Sequence, residues 1–203
     1  MAGSIETGEA KKLSLIKKAR RGNQDAFTEL FRLEERGLWY FCLKMVGDET
    51  DAEDALQETC ISIWKSLGFL KEPAAFRAWM MQIARRECIR ILDKRITHRE
   101  KETSLEALEE DYMEFSEYAE PDRELIPEAY VVDRERNDRL AAWISELPVK
   151  RREAILLYYY NGLSTTEIAK ITGTTPNSVT GTLAKARKYL ADRIEAYERR
   201  EPS

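Results

Sequence analysis

Histidine occurs once, at His98, and cysteine three times in 203 residues. Cys42, Cys60 and Cys88 are odd in number and far apart, each in an apolar helical context. They read as reduced core cysteines, neither a disulfide framework nor a zinc site. No apolar run approaches the roughly 20 residues that cross a bilayer, and Met1-Ala2-Gly3-Ser4 lacks the charged-then-apolar layout of a secretory leader. No membrane insertion and a cytoplasmic location are expected. The N-terminal half also lacks any alternation of apolar and polar residues that would mark a strand, which leaves helices. Hydrophobic residues make up 43% of the chain, enough to bury cores in one large domain or two small ones. The net charge of −4 is unevenly distributed. From Arg99 to Tyr130 three basic residues stand against twelve acidic ones, a local charge of −9 that leaves +5 for the rest. A basic body with an acidic connector suits a DNA binder.

The stretch from Leu163 to Leu190 organises the chain. Ser164 followed by Glu167 is a capping box that opens a helix, and Gly173 supplies the left-handed position that ends it. Thr175 caps a second helix, with Pro176 in its first turn, where a missing N–H costs nothing. Val179, Leu183, Ala186 and Leu190 recur at helical spacing as a buried face, opposite Asn177, Thr180, Thr182, Lys185 and Lys188. A short helix, a glycine turn and a longer helix with a polar, partly basic face is the helix-turn-helix plan. An ordinary helical hairpin is the plainer reading of this segment.

Ahead of it, helices are predicted over Glu9 to Arg20, about Gln24 to Val46, Thr50 to Leu67 (opened by a Thr50/Glu53 capping box) and Pro73 to about Ile96. The second carries Ala26, Phe27, Leu30, Phe31, Leu38, Phe41, Cys42 and Met45 largely on one stripe. Gly68 to Glu72 is a loop. From Thr97 to about Asp133 the apolar period is lost, acids dominate and Pro121 and Pro127 interrupt, so the segment reads as a linker between two all-helical domains. Helices resume over Asp133 to Leu147 and Val149 to Asn161, with Gly162 leading into the helix-turn-helix.

At about 100° per residue, the third helix clusters Ala52, Leu56, Thr59, Ile63 and Leu67 as its buried face. Asp54, Glu58, Ile61 and Lys65 lie opposite, flanked by Gln57 and Trp64. An exposed isoleucine beside a tryptophan and an acidic rim fits either an incidental surface side chain or the anchor of a protein contact. The fourth helix concentrates Arg77, Arg85, Arg86, Arg90, Lys94 and Arg95, interleaved with Phe76 and Trp79. That combination can hold phosphate and stack on unpaired bases, or it can be a solvated basic face over core aromatics.

Three motifs carry a resemblance. Asp51-Ala52-Glu53-Asp54-Ala55-Leu56-Gln57-Glu58, followed by Ile63-Trp64, closely resembles region 2 of bacterial RNA polymerase sigma factors. So does Phe76-Arg77-Ala78-Trp79, leading into Ile83-Ala84-Arg85. Leu147-Pro148, with Arg151-Arg152-Glu153-Ala154 and the helix-turn-helix, resembles region 4. The similarity covers about Gly22 to Ile96 and Ala141 to Arg193, in the small two-region layout of the extracytoplasmic-function (ECF) group.

The resemblance implies an all-α protein with region 2 at 1–96, an acidic linker at 97–132 and region 4 at 133–203. Its partners would be core RNA polymerase and promoter DNA, with an anti-sigma factor by analogy, and it would need no cofactor or metal and catalyse no reaction. Asp54, Gln57 and Glu58, with Ile61 and Trp64, match the surface that binds the polymerase clamp. Phe69 and Lys71 in the loop, and Arg77, Trp79, Arg85, Arg86 and Arg90 beyond it, match the part that captures a flipped base of the −10 element. Thr175, Asn177, Ser178, Thr180, Gly181, Thr182, Lys185 and Lys188 match the −35 reader. The acidic linker matches the segment that threads the RNA-exit path. Many relatives carry Asn and Asp where Arg86 and Arg90 stand, and basic residues where Thr180 and Thr182 stand. The exchange moves charge from the upstream reader to the melting region. Two rivals compete: a free-standing regulator with a helical sensor domain, and a metalloenzyme using Glu49, Asp51, Glu53, Asp54 and Glu58. The second is weak because Glu53 lies about a quarter-turn from the face shared by Asp54 and Glu58, and His98 is remote.

Overall fold

The computed structural model describes residues 2–100 and 134–199, all-helical with no strand among them. The chain divides into two compact units, Met1–Arg99 and Glu100–Ser203.

In the first unit α1 spans Ala2–Ala19, beginning seven residues before the predicted Glu9. Gly22, at φ 87°, reverses the chain after it. Asn23 caps α2 (Gln24–Val46) by accepting from the Ala26 N–H at 2.7 Å, and Gly47 ends it at φ 74°. Leu30, Leu38, Phe41, Cys42 and Met45 are wholly buried, as the stripe requires, whereas Phe27 and Phe31 at its edge are half-buried.

Helix α3 is Glu49–Ser66, and here the predicted Thr50/Glu53 capping box is wrong. Asp48 is the cap, its carboxylate accepting from the Asp51 N–H at 3.0 Å. Gly47 turns the chain so that Asp48 arrives extended, and the first turn is already closed when Thr50 is reached. Two short 3₁₀ turns, Leu67–Phe69 and Pro73–Ala75, precede α4 (Phe76–Glu100). The fourth helix thus starts three residues after Pro73 and takes in the first four residues assigned to the linker. The rest of the linker lies outside the described residues.

Helix α2 packs against both α1 and α3. Phe76, Met80, Met81, Ala84 and Cys88 bury one stripe of α4. Arg95 fastens that helix to the α2–α3 elbow, donating to the Val46 carbonyl at 2.7 Å and pairing with Asp51.

The second unit contains α5 (Arg134–Glu146), α6 (Val149–Ile155), α7 (Thr165–Thr172) and α8 (Pro176–Glu198), with α5, α6 and α7 all packed on α8. The predicted single helix from Val149 to Asn161 is two pieces, because α6 gives way to one turn of π-helix at Leu156–Tyr160. The Asn161 backbone and side-chain amides both donate to the Leu156 carbonyl, at 3.1 and 2.9 Å, and close the widened turn. No helix among the described residues is long and apolar enough to cross a membrane.

Candidate functional site

The outer face of α3 is the first of three surfaces. Ala52, Ala55, Thr59 and Ile63 are buried, so Ala55 takes the core place predicted for Leu56, which is half-buried. The opposite side leaves Asp54, Gln57 and Glu58 exposed, with Ile61 38% and Trp64 36% exposed. Trp64 packs against Phe27 of α2, ring centroids 4.9 Å apart with the planes tilted by 54°, and stays 36% exposed. Two apolar side chains therefore stand in water among carboxylates, on a rigid helix. Of the carboxylates weighed as metal ligands, Asp51 is engaged by Arg95, and no group of three or more potential ligands converges among the described residues. Cys60 is half-buried, not a core residue as expected. Burial and then the negative charge of Glu35 push its thiol up, so it stays protonated at neutral pH.

The second surface is the loop before α4 and the basic side of that helix. Leu67 and Leu70 are buried and pin the loop, while Phe69 between them is 85% exposed. Lys71 is exposed two residues on. Phe76 is buried, which settles it as core, and Trp79 is half-buried beside it, ring centroids 6.1 Å apart. Arg86 and Arg90 project to solvent and converge on Glu87 at 3.3 and 3.1 Å, and Arg85 is half-buried. Arg77 is exposed, with its Nη2 3.9 Å from the Glu34 carboxylate. Arg95, counted among the basic face from sequence, is committed to the α2–α3 elbow instead. Two buried acids of the first unit, Glu34 and Glu87, escaped the sequence reading. Their signal was present: each sits at an apolar-stripe position, Glu34 four residues from both Leu30 and Leu38, and Glu87 three residues after Ala84 and four after Ile83.

The third surface is the helix-turn-helix formed by α7 and α8. Ser164 and Glu167 make the capping box, with Ser164 N–H donating to Glu167 Oε2 at 2.8 Å and Glu167 N–H to Ser164 Oγ at 3.3 Å. Gly173 ends α7 at φ 71°, a dihedral that a side chain with Cβ rarely adopts. Thr175 caps α8 by accepting from the Ser178 N–H at 3.2 Å, with Pro176 in the first turn. Thr175, Asn177, Ser178 and Lys188 are exposed, and Thr182 and Lys185 are half-buried. Thr180 and Gly181 depart from expectation because both are buried, Thr180 to 6% exposure. Both α6 and α7 pack on α8, so its buried face is broader than the single stripe of Val179, Leu183, Ala186 and Leu190. Thr180 and Thr182 each donate their hydroxyl back to the helix, to the Pro176 and Ser178 carbonyls at 3.0 and 2.9 Å. Thr182 therefore presents a methyl group and acceptor lone pairs, with its donor already used.

These surfaces fall within two matched families. Residues 30–96 match Sigma-70 region 2, and residues 137–190 match Sigma-70, region 4. The ECF RNA polymerase sigma factor SigW of Bacillus subtilis is 26% identical over 180 residues, covering 88% of this chain and 94% of SigW. Two solved structures share the fold. One is CnrH in complex with the cytosolic domain of CnrY, with a TM-score of 0.60 at 23% identity over 92% of this chain and 98% of that one. The other is the sigma factor RpoE in complex with the anti-sigma factor NepR from Bartonella quintana, with a TM-score of 0.61 at 20% identity over 83% and 96%. With a region 2 unit carrying the acidic-apolar helix and a region 4 unit carrying the helix-turn-helix, the chain belongs to the ECF RNA polymerase sigma factors, which bind core polymerase and direct promoter recognition and melting.

Proposed function

We propose that the three surfaces divide the work of initiation between them. The outer face of α3 docks on the polymerase clamp through Asp54, Gln57, Glu58, Ile61 and Trp64. Phe69 and Lys71, with Arg77, Trp79, Arg85, Arg86 and Arg90, receive the single strand of the −10 element. Thr175, Asn177, Ser178, Thr182, Lys185 and Lys188 face the −35 element, with Thr180 and Gly181 setting how closely α8 packs rather than reaching DNA. The observation that carries the reading is the pair of exposed apolar side chains, Ile61 and Trp64, beside carboxylates on one helix face. Such a pair is an anchor that needs a partner surface to cover it. On this reading the first domain runs through α4 to about Glu100, the second is 133–203, and the acidic stretch between them is a tether whose charge mimics nucleic acid in a basic channel. The protein acts in the cytoplasm, carries out no catalysis of its own and is held in check by an anti-sigma partner, as RpoE is found with NepR. The free-standing regulator is not favoured, since nothing in it calls for a polymerase-facing anchor on α3. Limited proteolysis should cut between about Glu100 and Pro127 and release two folded pieces. Protection across that whole stretch in the free protein would contradict the tether.

In-vitro transcription with core polymerase on genomic fragments tests the function as a whole, and the promoters it yields allow the upstream reader to be dissected. Lys188 is exposed on α8. If it holds a phosphate, Lys188→Ala weakens binding on every sequence alike and lowers the salt slope by about one unit. Thr182→Arg adds a bidentate donor where a methyl group and an acceptor stood, and it should shift the preferred upstream element towards guanine. An unchanged preference in Thr182→Arg would remove that position from the reading face.

A further inference from the structure

Helix α1 lies outside the residues matched to region 2, yet it and the residue that follows it hold the downstream-reading loop at two points. Just past its C-terminus, the Arg20 guanidinium donates to the Lys71 carbonyl at 3.5 Å, two residues from the exposed Phe69. Nearer its middle, Lys12 pairs with Glu34, a carboxylate only 7% exposed in the apolar stripe of α2. The other Glu34 oxygen faces Arg77 of α4 at 3.9 Å. The Lys12 ammonium also stands 5.9 Å from the centre of the Phe76 ring, at the first residue of α4.

A carboxylate shut away from water persists only when paired, so Glu34 fixes Lys12 and Arg77 relative to α2 and to each other. Together these contacts hold the segment 67–77 at Lys71 in its middle and at Phe76 and Arg77 where α4 begins. Leu67 and Leu70 pin the first part of the loop, while Gly68, Phe69, Lys71 and Glu72 lie outside. Extracting a base from its stack costs free energy, which a preformed pocket offsets and a wandering one does not.

We propose that Lys12, Arg20 and Glu34 form a brace through which α1 preorganises Arg77 and the loop that receives the unpaired base. They are positioning residues for melting, and the role rests on the −10 reading of that loop given above.

Lys12→Met keeps the aliphatic stem against Phe76 and removes the charge, and Lys12→Arg restores it. Three quantities decide the outcome: amide hydrogen exchange across 67–77 in the free protein, affinity for core polymerase, and holoenzyme affinity for a single-stranded non-template oligonucleotide. The oligonucleotide is taken from a promoter selected with this holoenzyme. Lys12→Met should raise loop exchange by about tenfold or more. It should lower oligonucleotide affinity by about fivefold or more while core affinity stays within about twofold, and Lys12→Arg should recover both. Unchanged exchange in Lys12→Met overturns the brace whatever the DNA result. Raised exchange with undiminished oligonucleotide affinity, where Phe69→Ala does lose affinity, overturns the positioning role and leaves the loop reading standing. Full affinity in Phe69→Ala instead overturns the loop reading and the positioning role with it, while the exchange measurement still reports on the brace. Should Lys12→Met unfold the unit, Arg20→Gln removes the Lys71 contact without touching the buried carboxylate and is judged by the same three measurements.

Discussion

Ile61→Asp is expected to leave thermal unfolding nearly unchanged and to lower affinity for core RNA polymerase at least roughly thirtyfold. Ile61 lies opposite Ala52, Ala55, Thr59 and Ile63, and it is 38% exposed in the free protein. A substitution at a surface position of this kind changes stability by no more than about 0.5 kcal/mol. In a docked complex the same change places a carboxylate without a partner at the centre of the contact, beside Asp54 and Glu58. That costs on the order of 2 kcal/mol or more. Asp54→Arg should act alike through charge reversal, and because Asp54 is exposed its effect should fade as salt is raised. The measurement pairs the melting temperature of each variant with its affinity for core polymerase. Normal polymerase binding in both variants would remove this face from the interface.

Phe69→Ala should cost the holoenzyme about 1–3 kcal/mol in binding the single-stranded −10 element, the worth of one base stacked on an aromatic ring. That converts to between about fivefold and more than a hundredfold. Phe69 is held out by its neighbours: Leu67 and Leu70 are buried, and the 3₁₀ turn between them leaves the ring no core to enter. At 85% exposure it contributes little to folding, so the melting temperature should hold. Duplex binding at the upstream element should also hold, because that contact belongs to the second unit. Phe69→Trp should retain affinity, since the larger ring offers the same stacking surface. Strand opening on a duplex promoter, followed by the reactivity of unpaired thymines, gives an independent measure. Opening at the normal rate in Phe69→Ala would show that the base is held elsewhere.

What was legible in the sequence was what local chemistry decides. Ser164, Glu167, Gly173, Thr175 and Pro176 each act within one turn, and all five take their predicted places. The bounds of α2 follow likewise from Asn23 and Gly47. What was not legible depends on neighbours remote along the chain. Whether Glu34 is a surface acid or a buried one is settled by Lys12 and Arg77, which stand 22 residues before it and 43 after it. Glu87 is buried under the two arginines that it holds, so the basic face of α4 is built around an acid. Thr180 looked outward on a helical wheel, but α5, α6 and α7 all pack on α8 and Thr180 is buried. Thr50 was read as the cap of α3, but the left-handed turn at Gly47 delivers Asp48 in an extended conformation two residues earlier, and Asp48 takes the role. The apolar and exposed sides of α3 follow from periodicity nearly residue for residue, whereas the polymerase as partner of the exposed side came from the resemblance and not from the pattern.

The π-helical turn at Leu156–Tyr160 bears on how this family tolerates insertions and deletions. Its bonds reach five residues back, as from Asn161 to Leu156, so the turn holds one residue more than an α-helical turn in its place. A single deletion within the three tyrosines can therefore be absorbed by tightening that turn to the ordinary ladder, leaving Gly162 and the helix-turn-helix in phase with α6. The same deletion in α8, which has no such slack, would swing every later side chain by about 100° around the helix axis. Length variation among related chains should accordingly collect at the tyrosine run and be absent from the reading helix.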